Sequence, residues 1–434
     1  MDDGTGANAK DGADENANER KALWSQLKGM VGADIMSLFS VPVFIMEPTT
    51  TLQKMAEAMQ YCKLLDEAAD SDDPDLRLAL VCTLAISTYS SNERSKKPFN
   101  PILGETWECT FPDVDGGATY VAEQVCHHPP IGAAHAASSK WTYDITSMVK
   151  TKFMGNWVDV YPLGRTRIAL KRTGDVFNLC PPSSRVNNLL VGRTWVDTFG
   201  ELQVNNLKTG ASALVKFKEC NMFGMGRWEV SGDITGADGE VKYHLKGKWN
   251  DKVSIVSAAA GEKDGKERVL WTKAPMPEDG GGKYGFTHFI RRACSAESCP
   301  PGLLASDSRL RPDRMALEKE DTSEANKAKY MLEEMQRAER KLREEKGDEW
   351  KPRWFKLAEN ADLHELEQDV GTAVWEWNGE YEANNAERVK RSGGEGGSSP
   401  LGIEFNPWQY EETAKGETIA AAAAPAGGEE NGAN

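Results

Sequence analysis

Several common functional signatures are missing from the sequence. Its eight cysteines, at 62, 82, 109, 126, 180, 220, 294 and 299, include no CxxC pair, which removes the usual zinc and dithiol motifs. No apolar run approaches the roughly 20 residues that cross a bilayer. Residues 1–20, MDDGTGANAKDGADENANER, hold no apolar stretch of the kind a secretory leader needs. Scattered cysteines without a leader fit reduced thiols in a cytosolic protein. Basic charge is in deficit: 52 Lys and Arg face 67 Asp and Glu, for a formal net charge of −15. General nucleic-acid binding needs a cationic footprint and is disfavoured, although a local basic pocket remains compatible with an acidic chain. Neither a GxSxG elbow nor a Cys-x5-Arg loop occurs, so serine-hydrolase and cysteine-phosphatase chemistry lack their frames.

What is present divides the chain by texture. Residues 1–20 read as a disordered acidic leader. In the following KALWSQLKGMVGADIMSLFSVPVF, residues Leu23, Trp24, Leu27, Met30 and Val31 recur at helical spacing, predicting a short amphipathic helix. Periodicity leaves open whether it packs on the core or forms a mobile, membrane-touching flap. A helical subdomain is expected over about 50–95, with Pro74 in the first turn of its last helix and Asp72 or Asp73 as cap. From about 98 to 290, short alternating segments such as ATYVAEQV, RTWVDTFGELQVNN and VKYHLKGKWN are punctuated by DVDGG, NNLKTG and TGADGE. Such a meander is most economically closed as a large antiparallel barrel, and one of this size encloses a cavity. Helix returns over 313–346 with a break near Thr322 and Ser323, within a C-terminal helical region of about 306–391. Residues 392–434 read as a flexible tail, with IEFNPWQY as a docking fragment.

The chemistry concentrates at EQVCHHPP, residues 123–130, where two of only six histidines are adjacent and followed by two prolines. In a regular strand His127 and His128 would face opposite sides. A proline-enforced strand end can turn both rings to one rim. A metal site lacks further ligands at suitable spacing, and nucleophilic catalysis lacks a nucleophile. A structural pair and an anion-binding pair both remain. The anion reading requires more cations to converge on the rim. Lys97 and Asn100 of KPFN are available, as is the stripe Lys329, Glu333 and Arg337, each about 40° from the last on a helix of 3.6 residues per turn. By pattern alone that stripe is equally an ordinary solvated face of ion pairs.

The segment EQVCHHPP differs only by Cys126 for serine from the EQVSHHPP signature of the oxysterol-binding-protein-related lipid-transfer family, which this chain resembles. KPFNPILGETWE, EPTTTLQKMAEAMQYCKLLDEAAD, SDSRLRPDRMALE and KYMLEEMQR are similar to further blocks of that family. The resemblance spans about residues 22–382. It implies a mainly β fold with α: a large incomplete antiparallel barrel around a lipid tunnel (domain about 21–391), an N-terminal lid over about 21–40, and a C-terminal helical region. It also implies a non-enzymatic carrier with no metal, cofactor or catalytic residue. Such a carrier extracts one lipid, a sterol or phosphatidylserine exchanged against phosphatidylinositol 4-phosphate, shields it and delivers it to another membrane. The alternative is a lipid-sensing scaffold without net transport. The family's head-group residues fall on Lys97, Asn100, His127, His128, Lys329, Glu333 and Arg337. His127, His128 and Arg337 would take the 4-phosphate, Lys97 and Lys329 the phosphate nearer the glycerol, and Glu333 the inositol hydroxyls. Leu23, Trp24, Leu27, Met30 and Val31 would form the lid. A cytoplasmic monomer, peripheral on organelle membranes and without nucleic-acid partners, is expected.

Overall fold

A computed structural model of the chain describes residues 17–35, 41–111, 117–221, 223–260, 266–295, 298–391 and 403–416. The expected leader lies outside these residues up to position 16, as do parts of the lid (36–40) and of the tail (392–402, 417–434).

A 14-stranded antiparallel sheet dominates the fold. It starts with β3 (Thr106–Phe111), β4 (Ala118–His127), β5 (Pro130–Ser138) and the long β6 (Trp141–Phe153), after a small parallel pair of β1 (Met46–Thr50) with β2 (Lys97–Phe99). Beyond β6 the sheet forks. The C-terminal half of β6 pairs with β7 (Trp157–Leu163), which leads through β10 (Ser183–Asn187) to the first half of β11 (Trp195–Asn206). Its N-terminal half pairs with β8 (Thr166–Leu170), which leads through β9 (Asp175–Cys180) to the second half of β11. From β11 a plain meander of β12 (Ser212–Phe217), β13 (Glu229–Thr235), β14 (Val241–Lys248) and β15 (Lys252–Ser257) ends at β16 (Arg268–Thr272). No pairing joins β16 to β3 among the described residues, so the barrel is only partly closed.

The helices of about 50–95 share one buried core with the sheet. Helix α1 spans Ala17–Leu27, α2 spans Lys63–Asp70 and α3 spans Pro74–Ser87. Asp73 caps α3, accepting from Asp75 N at 2.9 Å and Leu76 N at 3.1 Å, and Pro74 occupies the first turn. Residues 78–86 of α3 are apolar all round apart from Thr83, as a fully buried helix should be. They belong to one buried cluster with Trp107, Tyr120, Phe177, Phe217 and Trp271 of the sheet and Trp249 of the turn after β14. The single arginine, Arg77, is neutralised by Asp175 at 2.7 Å.

At the other end of the barrel α1 begins at Ala17, inside the stretch expected to be disordered. It stops at Leu27 rather than running on to Val31. Gly32, at φ +89, turns the chain, and a backbone pair between Ala33 and Phe153 extends the sheet. Leu23 and Leu27 are buried against Phe153 and Val158, with Met30 beside them. Trp24 and Val31 point outward, 43% and 56% exposed, correcting the expectation of a single apolar lid face.

The C-terminal helices break where expected, at 319–321 beside Thr322: α4 (Pro312–Glu318) ends before Asp321, which caps α5 (Thr322–Lys346) by accepting from Glu324 N at 2.9 Å. Glu320 takes a left-handed φ of 62 in the break, and Gly347 ends α5 in the same region. Residues 403–416, inside the stretch expected to be flexible, are packed: Phe405 is buried with Ile102, Leu303, Leu310 and Leu332.

Candidate functional site

Strand β4 ends at His127 and β5 begins at Pro130, which pair across the turn His128-Pro129. A register shift between Gln124 and Cys126 leaves Val125 out of the ladder. Such a bulge re-aims the side chains that follow it. The two imidazoles meet edge to face with centroids 4.9 Å apart, and both line one cavity of about 600 Å³. The histidine pair therefore sits at a strand end, as expected, and Pro129 lies in the hairpin turn that follows it, with Pro130 opening β5.

Lys97, Asn100, Lys329, Glu333 and Arg337 line the same cavity, so all seven head-group positions inferred from the sequence share one enclosure. Three separate elements supply them: β2 and the loop after it, the β4–β5 hairpin, and one face of α5. Lys97 Nζ donates to Asn100 Oδ1 at 2.7 Å, and Lys329 Nζ donates to Glu333 Oε1 at 2.6 Å. Arg337 reaches Glu333 at 3.7 Å and also pairs with Glu334, while staying 54% exposed. Burial, then the charge of Lys329, pushes the Lys97 ammonium down to about 7. Burial, then His128, pushes His127 down to about 4, with the Pro101 carbonyl working the other way. His128 is lowered by burial and by Arg340.

Among the charged and amide side chains lining the cavity, reasoning from sequence missed four: Arg311, Gln336, Arg340 and Arg343. Gln336 lies at i+3 from Glu333 within the stripe, and Arg340 and Arg343 continue it at helical spacing, so extending it another two turns would have found the two arginines. Arg311 gave no such signal. It is buried, donates to the Asn100 carbonyl at 2.8 Å, and pairs with Glu105 at 2.9 Å and Asp313 at 2.6 Å. His127 Nδ1 and Gln336 Nε2 are both buried without a hydrogen-bond partner among the described residues. Each such orphan costs on the order of 1–3 kcal/mol, and an anion lying between these walls would satisfy both. Lys97, Arg311, Lys329, Arg337, Arg340 and Arg343 line the cavity beside one carboxylate, Glu333, a composition suited to an anion. Outside the lining, Glu105 and Asp313 pair with Arg311, and Glu334 with Arg337.

A second cavity, about 430 Å³, adjoins the first, and Val41, Lys97 and Asn100 line both. Its walls are mainly apolar: Leu23, Leu27 and Ile35 from the N-terminal segment, Val158 and Val160 from β7, and Val186 and Val196 from β10 and β11. Among the described residues no group of His, Cys, Asp and Glu has metal-site geometry, and no helix is long and apolar enough to cross a membrane.

An open antiparallel barrel with an apolar chamber under an N-terminal helix and a cationic cradle at its mouth defines a lipid-binding barrel. The sequence model described as Oxysterol-binding protein matches residues 22–386, and the chain belongs to that family, a lipid-binding family rather than an enzyme family. It is 44% identical over 398 residues to oxysterol-binding protein-related protein 3C of Arabidopsis thaliana, covering 90% of this chain and 85% of that one. Protein 3B of the same plant is 43% identical over 401 residues, covering 91% and 84%. Among solved structures, the Osh1 ORD domain in complex with cholesterol superposes with a TM-score of 0.73 at 34% identity, over 84% of this chain and 88% of that one. The Osh3 ORD from Saccharomyces cerevisiae, in complex with PI(4)P, does so with 0.70 at 27%, over 85% and 93%.

Proposed function

We propose that the chain is a non-vesicular lipid-transfer protein: it extracts a single lipid from one membrane, shields it under the N-terminal segment and releases it at another. The observation that carries this reading is the adjacency of two unlike compartments, a cation-lined cavity and an apolar chamber that share Lys97, Asn100 and Val41 as wall residues. A phosphoinositide fits such a pair, with its phosphorylated head among the histidines and the α5 cations and its chains in the chamber. An uncharged cargo such as a sterol uses the chamber alone and leaves the cradle empty. Cholesterol and PI(4)P in the Osh1 and Osh3 complexes support the same pairing of cargoes. In this reading the cargo exchanged against phosphatidylinositol 4-phosphate is a sterol or phosphatidylserine.

Burying an acyl chain of about 16 carbons is worth on the order of 13 kcal/mol against water. The donor membrane is equally apolar, so the chamber offsets the loss of that membrane and the cradle decides which lipid leaves. A liposome assay tests the proposal. Labelled phosphatidylinositol 4-phosphate and labelled sterol should each move between vesicles at substoichiometric protein, faster when both are present on opposite vesicles. Binding of either lipid without movement between vesicles would mark a sensor instead.

A further inference from the structure

The 403–416 segment lies directly behind the cradle without entering it. Phe405 is buried against Ile102 and Leu332, and both of those residues line the cradle on their other side. Ile102 belongs to the loop that carries Asn100, and Leu332 to the helix that carries Lys329, Glu333 and Arg337. One aromatic ring thus shares a buried cluster with residues from two of the three walls of that cavity, while Phe405 and Leu332 also border a groove of about 840 Å³ between this segment and α4–α5. The backbone fixes the segment: Asn406 N donates to the Ala305 carbonyl at 2.8 Å, and Gln409 N donates to the buried Glu339 of α5 at 2.6 Å. Gln409 Oε1 also accepts from Arg343 Nε at 3.2 Å, and Arg343 lines the cradle. Farther along, Tyr410 donates to Asp348 at 2.5 Å and lies beneath Lys346, with 4.1 Å from Nζ to the ring centroid.

A helix held only along its inner face can slide or tilt, and a cradle whose walls drift by about 1 Å loses its charge-assisted geometry. We propose that residues 403–416 form a clamp that sets the spacing between the Asn100 loop and α5, and that Phe405 and Gln409 are positioning residues for anion binding. The clamp touches nothing in the apolar chamber, so it tunes the phosphorylated ligand and leaves an uncharged one unaffected. This inference rests on the cradle's being the head-group site.

The test uses the full chain and two substitutions, Phe405→Ala and Gln409→Leu. Extraction of short-chain phosphatidylinositol 4-phosphate and of cholesterol from neutral phosphatidylcholine vesicles is measured for each, along with amide exchange across α5. Expected for Phe405→Ala is a loss of roughly tenfold in phosphoinositide affinity, unchanged cholesterol uptake and faster exchange in α5. Gln409→Leu, which keeps the packing and removes the Arg343 acceptor, gives a smaller loss in the same direction, and Phe405→Leu restores most of the affinity. Wild-type phosphoinositide affinity in both Phe405→Ala and Gln409→Leu overturns the clamp while leaving the cradle standing. Equal loss of both lipids in Phe405→Ala makes the segment a general support and also overturns it. A wild-type chain that extracts cholesterol but no phosphoinositide overturns the cradle reading, and the clamp with it.

Discussion

Lys97 donates a 2.7 Å hydrogen bond to Asn100 in a wall of the cradle where burial and Lys329 hold its ammonium down to about 7. Near neutrality this lysine therefore carries its proton only part of the time, and His127, lowered to about 4, is neutral. An arriving phosphate favours the charged form of both and raises both pKa values. The complex then holds more protons than its separated partners, so affinity falls as pH rises from about 7 towards 9. Below about 6 the phosphate monoester itself loses charge, which places the optimum between. Calorimetry in buffers of different ionisation enthalpy should register proton uptake near pH 7.5. An apparent enthalpy independent of the buffer would rule this coupling out.

Replacing both His127 and His128 by alanine should lower phosphoinositide extraction by about 100-fold or more, two charge-assisted contacts being worth roughly 1.5–3 kcal/mol each. Cholesterol extraction and circular dichroism should stay as in the wild type. Undiminished phosphoinositide extraction by the double variant would falsify the head-group assignment.

Two arginines that line the same cavity should behave in opposite ways. Arg311→Leu strands the buried carboxylates of Glu105 and Asp313 and should cost about 3–5 kcal/mol in urea unfolding. Arg337→Ala removes a half-exposed side chain and should move stability by about 0.5 kcal/mol at most, yet weaken phosphoinositide binding at least about tenfold. Equal effects of the two on stability would contradict this division.

Leu27 is buried between α1 and β6–β7, and it also lines the apolar chamber. Leu27→Asp should release α1 into water, where the carboxylate is solvated, so the cost stays local and the barrel keeps its unfolding midpoint. Sterol transfer between vesicles should fall several-fold. If the midpoint collapses while transfer persists, the segment is core and not cover.

The sequence made the meander and the cradle readable for different reasons. Alternation in strands such as SALVKF follows from a sheet that is wet on one face, whereas ATYVAEQV is buried on both faces, and EQVCHHPP with KPFN and the α5 stripe is a linear record of the proposed binding chemistry. The role of α3 was hidden because a helix apolar all round has no periodic face to reveal what surrounds it. Arg311 was hidden because its partners, Glu105 and Asp313, include one about 200 residues away in sequence. The packing of Phe405 was only half readable: IEFNPWQY was recognisable as a docking fragment, but nothing local named Ile102 and Leu332 as its seat.

The fork in the sheet has a mechanical consequence. Strands β6 and β11 each run past two different neighbours, and the two branches border different contents. The β7–β10 branch supplies Val158, Val160 and Val186 to the chamber wall. The β8–β9 branch supplies Ile168, Leu170, Phe177 and Leu179 to the buried core around α3, where Ile168 and Leu179 also border a smaller cavity of about 230 Å³. Close-packed interiors resist deformation, whereas a ladder facing an open chamber has slack on one side. The β7–β10 branch thus borders the larger open volume, about 430 Å³ against about 230 Å³, so a cargo of the proposed kind should be accommodated by movement of that branch before the branch against α3 shifts its register.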